Sequence, residues 1–506
     1  MPMVSVMVLF ALVAVHDALA PGGGARPAPD GPAWAWLLAG PLAPAPVLAL
    51  AHARLAMLGR RIDRTGSRGA VSAARRVLGA ARSGIVLVFA GLLAMGQLEA
   101  VRTIAGDVVL LDETLVLVWP ILAIIALWWS DYPIERRVRE ASLLAALDSG
   151  GETPGLPTRG AFVWERARHL VLPFVVPIGL FAGWFEAVAW LTGRLGVARG
   201  GGAEAALVGG LALGGSAVIV AIMPAALRRL WSTTPIGAGA LRDRLLGLCA
   251  RSRVRVRDVL VWRTHFSMVN GALIGFVPGL RYILLTDALL ARLSDAELEA
   301  VMAHEIAHAR RGHLPWLLAS VLSAAVLAGA AADGLLLLAG RWLGSTPTDA
   351  VWVLVSGGAT GAAAVIVFGW VSRRFERQAD AFAARLLSEV SDEREASESP
   401  AEVEGAGGPR TGFVRASAAG AMARALVAVC RLNNADPEKF SFRHGSIARR
   451  VRNLHATIGM PLDALPVDRT VRRIKLAAAL AVLAAAGLIV WQAWASASAS
   501  AGGGVV

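Results

Sequence analysis

Two histidines four residues apart bracket a glutamate in the run His304-Glu305-Ile306-Ala307-His308. Residues 295–311 read as a helix, and positions four apart on a helix share one face, one turn apart. Two imidazoles so placed can grip a single zinc ion, which leaves the Glu305 carboxylate beside a water that the metal activates. That is the equipment of metal-assisted hydrolysis. A zinc site with three protein ligands needs one more donor and an open position. The segment Ser372-Arg373-Arg374-Phe375-Glu376-Arg377-Gln378-Ala379-Asp380 offers Glu376 as the third ligand. Asp380 follows one turn on, placed to accept a hydrogen bond from a ligand imidazole and set its tautomer. Taken alone, the same two carboxylates also read as a solvated helix face paired with the local arginines.

The elements that must hold these groups lie among apolar runs. The 506-residue chain is 56% hydrophobic, too apolar for an ordinary soluble protein. Runs 4–20, 34–58, 84–104, 109–129, 169–191, 205–227, 314–343, 351–371 and 476–494 are candidates to span a bilayer. The first is short, carries His16 and Asp17 and ends Ala18-Leu19-Ala20, so it also reads as a signal peptide, though without a basic leader. The net charge of +13 comes almost wholly from arginines that cluster beside the apolar runs. They read as topology determinants rather than as a nucleic-acid surface. The stretch 59–83, with Arg60, Arg61, Arg64, Arg68, Arg75, Arg76 and Arg82, is expected in the cytoplasm as a loop. Counting spans from it puts 131–168, 228–313 and 372–473 on the same side. Trp128, Trp129, Trp231 and Trp494 fit an aromatic belt. Cys249 and Cys430, the only cysteines, read as buried free thiols.

The expected fold is mainly α: a polytopic helical membrane protein carrying a zincin-like α+β domain whose small sheet packs on the helix of His304 and His308. Residues 1–230 form an N-terminal membrane domain of about six spans. Residues 231–313 form a first catalytic half, 314–371 a transmembrane hairpin and 372–472 a second half. Residues 473–506 add a last span and tail. In the first half, 241–252 reads as a helix, 254–257 alternates, 259–262 is an apolar run, and 269–275 and 282–285 read as two strands with a turn at Pro278-Gly279 between them. In the second, 371–387 reads as a helix leaving the membrane, and the Glu/Ser/Gly/Pro-rich stretch 388–412 as a flexible insertion. His313 reads as a helix-end or interfacial residue, and His265 and His455 as surface or packing residues. Asp112, Glu113 and Glu186 fall in or near spans, where a carboxylate reads equally as functional or interfacial.

His304-Glu305-x-x-His308 followed by Arg373-x-x-Glu376-x-x-Ala379-Asp380 resembles the zinc metalloendopeptidase family that contains the bacterial HtpX proteases and the CAAX prenyl endopeptidases. Leu284-Leu285-Thr286-Asp287 and Leu293-Ser294-Asp295-Ala296-Glu297-Leu298 resemble the stretch before that family's zinc helix. Asn270-Gly271-Ala272 resembles its substrate-edge strand, usually Asn-Ala. Phe442-Arg443-His444, with Arg450 six residues after the histidine, resembles its late His and Arg. The likeness covers 241–454 without the hairpin and the insertion. Here Gly445 and Ser446 stand where a proline usually follows the late histidine, and Gly271 is unusual in the edge strand.

The resemblance implies one Zn²⁺ per chain, held by His304, His308 and Glu376, with Asp380 behind. It implies Glu305 as general base, His444 or Arg450 as oxyanion stabiliser, and Asn270, Gly271 and Ala272 in the substrate strand. The expected function is membrane-embedded zinc metalloendopeptidase acting in membrane-protein quality control. A dedicated processing or signalling protease coupled to an N-terminal sensor or transport module is the alternative, and a non-catalytic scaffold fits the intact ligand set less well. Expected partners are a peptide or membrane-protein substrate and the bilayer, with no nucleic acid. The Ala/Gly/Arg-rich composition looks bacterial, so the expected location is the inner membrane, with the catalytic side in the cytoplasm.

Overall fold

The computed structural model describes residues 2–18, 29–106, 111–147, 155–194, 202–266, 268–398, 412–433 and 435–502. The chain divides into two units, Met1–Trp231 and Ser232–Val506. The first is all helix: α1 (Pro2–Ala18), α2 (Ala33–Leu42), α3 (Ala45–Thr65), α4 (Arg68–Ala94), α5 (Gln97–Ala105), α6 (Leu111–Leu147), α7 (Arg159–Leu170), α8 (Leu172–Arg194) and α9 (Gly202–Leu230). Val6, Leu9, Phe89, Ile124 and Trp128 are among its buried core.

Eight helical stretches among the described residues are long and apolar enough to cross a bilayer. In the first unit they are Ala33–Thr65, Gly69–Ala94, Leu111–Glu140, Leu172–Arg194 and Leu207–Leu230. In the second they are His313–Leu343, Val353–Glu393 and Pro466–Gln492. The protein is a multi-pass integral membrane protein. Two expectations are corrected here. The run 84–104 is not one span: α4 ends at Ala94, Gly96 takes a left-handed turn at φ +93°, and α5 starts afresh at Gln97. The arginine-rich stretch 59–83 is not a loop. Arginine is a good helix former, and α3 and α4 both continue through it, broken only at Gly66-Ser67, where Gly66 has φ +59°. Residues 19–20 and 109–110 of the anticipated spans, and 148–154 of the stretch 131–168, lie outside the described residues.

The second unit contains β1 (Thr233–Pro235), α10 (Ala240–Arg251), β2 (Asp258–Trp262), β3 (Gly271–Ile274), β4 (Tyr282–Thr286), α11 (Asp287–Arg292) and α12 (Asp295–Arg310). α13 (His313–Leu343), α14 (Asp349–Trp352), a π-helical turn (Val353–Gly357) and α15 (Gly358–Glu398) follow. The unit closes with α16 (Ala416–Leu432), α17 (Ile447–His455) and α18 (Pro466–Gly502). The four strands run in the order β1-β2-β4-β3. β4 pairs in parallel with β2 and antiparallel with β3. All five β4 residues are buried, which explains its unbroken apolar run Tyr-Ile-Leu-Leu before Thr286. The core beneath combines Ile283, Leu285, Leu289, Ala303, Ile306, Ala384, Met422 and Leu454.

The apolar run 259–262 forms strand β2, which makes a third strand beside the two expected, and β1 is a short fourth that the sequence pattern lacked. The stretch 388–398 is not a flexible insertion but the last turns of α15. Ser388 and Val390 are buried there, and Ser388 Oγ accepts the Arg415 amide at 2.9 Å. Residues 399–411 lie outside the described residues.

Candidate metal centre

α12 starts where Ser294 and Glu297 form a capping box, with the Glu297 carboxylate accepting the Ser294 amide at 2.9 Å. It stops at Gly312, whose φ of +61° lets α13 begin immediately at His313. Between these ends, His304 and His308 face α15, which brings Glu376 up opposite them. Nε2 of His304 and Nε2 of His308 are 3.2 Å apart. Two nitrogens on a tetrahedral zinc with bonds of about 2.05 Å would stand about 3.3 Å apart. Glu376 Oε2 is 3.7 Å from His304 Nε2, and Oε1 is 3.8 Å from His308 Nε2. The three donors all lie within 4.8 Å of one another, and Glu376 is buried. Two imidazoles and a carboxylate at these separations fit a zinc ion with a fourth position left for solvent or substrate.

Both imidazoles are held from behind. Nδ1 of His304 is 3.0 Å from Asp380 Oδ1, within hydrogen-bond distance although off the aligned N–H direction. Burial opposes a proton on His304, but the bond and charge of Asp380, with Glu376, overcome it and raise its pKa. On His308, burial and the positive charge of His304 push the pKa well below the ordinary value. Its Nδ1 lies 3.0 Å from Nδ1 of His313, a residue expected only as a helix end and here 2% exposed. His313 Nε2 donates to Gln378 Oε1 at 2.9 Å, and the Gln378 amide nitrogen donates to the Asp468 carboxylate, carried by α18. A carboxylate only accepts, so the proton positions follow along the chain. Gln378 turns its oxygen to His313, His313 carries its proton on Nε2, and its bare Nδ1 accepts from His308. Nε2 of His308 is thereby left free for a metal. Phe375 stacks on the His313 ring at 4.5 Å.

Arg450, on α17, is the keystone on the other side. It is 7% exposed and bidentate on Asp380, with Nε to Oδ2 at 2.8 Å and Nη2 to Oδ1 at 2.6 Å. Its Nη1 is 3.1 Å from Glu376 Oε2. Burial works against its charge, but Asp380 and Glu376 outweigh burial and raise its pKa. His444 reaches the same Glu376 oxygen, Nδ1 to Oε2 at 3.1 Å, from a loop position that is 43% exposed.

Glu305 is half-buried next to the edge strand. A Cβ added to Gly271 would stand 3.0 Å from Val301 Cγ1 and 3.4 Å from Glu305 Oε1. The glycine is thus what allows β3 to lie this close to the carboxylate. Burial raises the pKa of Glu305. Asn270 precedes β3: its amide donates to Thr286 Oγ1 and its carbonyl accepts the Thr286 amide, both at 3.0 Å. Ala272 pairs with Leu284, and β3 is the outer strand of the sheet on its far side.

Against known proteins, residues 240–458 match the model of Peptidase family M48. This segment is a family M48 peptidase domain. Such a domain is a metallopeptidase, so the protein is a hydrolase of peptide bonds anchored by several membrane spans. No curated protein matches the chain by sequence. Among solved structures, the crystal structure of S. mikatae Ste24p is similar to it at 14% identity with a TM-score of 0.41. That match covers 85% of this chain and 100% of that one.

Proposed function

We propose that this M48 protein is a zinc-dependent endopeptidase of the bacterial inner membrane, cleaving membrane-protein segments or peptides on the cytoplasmic side. The observation that carries the reading is the placement of Nε2 of His304, Nε2 of His308 and the Glu376 carboxylate around one point, with Glu305 beside the sheet edge. When bound, zinc supplies a Lewis acid that polarises the scissile carbonyl and makes water acidic enough to attack near neutral pH.

The rest of the mechanism belongs to the side chains. Glu305 takes a proton from the attacking water and delivers it to the leaving amine, a task suited to a carboxylate whose pKa is raised by burial. A substrate laid along the outer edge of β3 bonds through its main chain and needs little side-chain identity, which suits quality control. The oxyanion role divides unequally between the two candidates. Arg450 spends its donors on Asp380 and Glu376, and so positions the ligand carboxylate. His444, more open to solvent, has the freedom to turn toward a developing oxyanion. The cytoplasmic side is supported by Arg60, Arg61, Arg64, Arg75, Arg76 and Arg82.

The test is metal analysis and casein cleavage with detergent-purified protein, wild type beside His304→Ala, Glu376→Ala and Glu305→Gln. Zinc at one per chain and cleavage, both lost in the two ligand variants, is the expected result. Stoichiometric zinc in His304→Ala or in Glu376→Ala would overturn the ligand set. Cleavage undiminished in Glu305→Gln would overturn the assignment of the base.

A further inference from the structure

Behind the metal centre lies a cavity of about 500 Å³. It is an open concavity lined by the end of α10, the α12–α13 junction, α15 and the first turns of α18. An adjoining cavity of about 380 Å³ shares Arg253 and Arg310 with it. Together they are lined by eight cations, six in the first and Arg255 and Arg281 added by the second, with Glu389 the one carboxylate in the lining. Glu389 is already engaged by Arg385 at 2.8 Å, and outside the lining Glu393 pairs with Arg251. Neither Arg253 nor Arg310 has an ion-pair or hydrogen-bond partner for its side chain among the described residues. Arg311 reaches Asp468 only at 3.4 Å, and its buried Nε finds no acceptor.

Such crowding of like charge in a concavity is unfavourable unless an anion answers it. The backbone adds a second sign. Arg253 occupies the left-handed position after α10, φ +51°, where glycine is the easy residue. The cavity's level in the fold narrows the choice of anion. Arg310 and Arg311 stand just before the apolar run of α13, and Lys475 just before that of α18. The opening is therefore at the boundary where two spans leave the apolar layer. Phe382 and Leu386 supply an apolar wall beside the cations.

We propose that this cavity binds a phosphate group, that of an anionic phospholipid headgroup at the surface from which α13 and α18 emerge. The guanidinium groups of Arg253 and Arg310 take the phosphate oxygens, and the headgroup lies against Phe382. The site is separate from the peptidase groups and requires no peptide-bond chemistry.

The experiment is a titration of delipidated, full-length protein in detergent with three soluble probes: dihexanoyl phosphatidylglycerol, dihexanoyl phosphatidylcholine and inorganic phosphate. Wild type is compared with the Arg253→Gly/Arg310→Gln pair. Arg253→Gly relieves the left-handed backbone and Arg310 is exposed, so the variant should fold, as an unchanged thermal midpoint will verify. Expected is preference for phosphatidylglycerol over both other probes, weakened about tenfold or more in the variant, the scale of one or two lost charge-assisted bonds. Inorganic phosphate binding as tightly as phosphatidylglycerol, with the same loss in the variant, would assign the site to free phosphate and overturn the lipid source. Equal phosphatidylglycerol affinity in wild type and variant, or equal affinity for the two lipids, would overturn the proposal altogether.

Discussion

Nδ1 of His313 stands 3.0 Å from Nδ1 of His308, so the first residue of a membrane-entering helix fixes the ring that faces Glu376. The contact depends on Gly312. Only its left-handed turn lets α13 restart quickly enough to fold His313 back on α12. Through Gln378 the arrangement ends on Asp468 of α18, so the ligand's tautomer is set by three separate helices.

Replacing His313 by Phe should keep the ring stacked on Phe375 while deleting both hydrogen bonds. Loss of an outer partner of this kind typically weakens metal affinity by about 10–100-fold. Competition with a chromophoric chelator measures it. Gln378→Leu should give a loss in the same direction, since it cuts the same chain one step further out. Unchanged zinc affinity in both would show that the chain only packs.

Glu305→Gln should lower kcat by about 10²–10⁴-fold, the usual contribution of a positioned general base. Zinc content should stay at that of wild type, because Glu305 is not among the three clustered donors. Single-turnover cleavage with parallel metal analysis separates the two quantities.

Gly271→Ala should lower kcat/KM, because its Cβ meets Val301 at 3.0 Å and Glu305 Oε1 at 3.4 Å. Either β3 withdraws or the carboxylate is displaced, and both move the base relative to a strand-bound substrate. Gly271→Val should be worse, and neither should change zinc stoichiometry. Activity equal to wild type in Gly271→Val would remove β3 from the substrate site.

Metal binding should be proton-linked through His304 rather than His308. A ligand imidazole must be deprotonated to bind. His304 has its pKa raised by Asp380 and Glu376 against burial, whereas burial holds that of His308 well below the ordinary value. In metal-free protein His304 therefore takes up the first proton as pH falls, and His308 remains free. Zinc affinity should drop about tenfold per pH unit once pH is below the raised His304 value, a slope of one proton. Asp380→Asn should move the onset to lower pH. A slope of two over the same range would contradict this assignment.

Much of the centre was legible because it is local. Ser294 and Glu297 announce the start of α12, and His304 and His308 repeat at one helical turn. Glu376 and Asp380 repeat at the same spacing on α15, which packs against α12. His313 was not legible as more than a helix end, since its role depends on partners at 378 and 468. The tail of α15 misled for a related reason. Its Glu- and Ser-rich composition reads as solvated, yet Ser388 and Val390 face the core. Gly271 read as a weakness of the edge strand, whereas its missing side chain is what admits Glu305. β1 has three residues and ends in Pro235, too little for any period to emerge.

Arg450→Gln should show whether the carboxylate pair stands without its cation. Arg450 is buried and bidentate on Asp380, with Glu376 in reach of its third nitrogen. Removing one partner of a buried pair leaves the other charge uncompensated and costs about 3–5 kcal/mol. The metal-free protein should therefore unfold well below wild type in a thermal or denaturant titration. Zinc should restore part of that loss, because its charge lies on the same Glu376 carboxylate and a ligand that binds only the folded state stabilises it. An oxyanion donor would behave differently: its loss would lower kcat while leaving metal-free stability unchanged. His444→Gln should show that second pattern, since His444 is exposed and its one carboxylate contact, at 3.1 Å, is shared with Arg450. If the two variants exchange phenotypes, the roles of clamp and oxyanion donor are reversed.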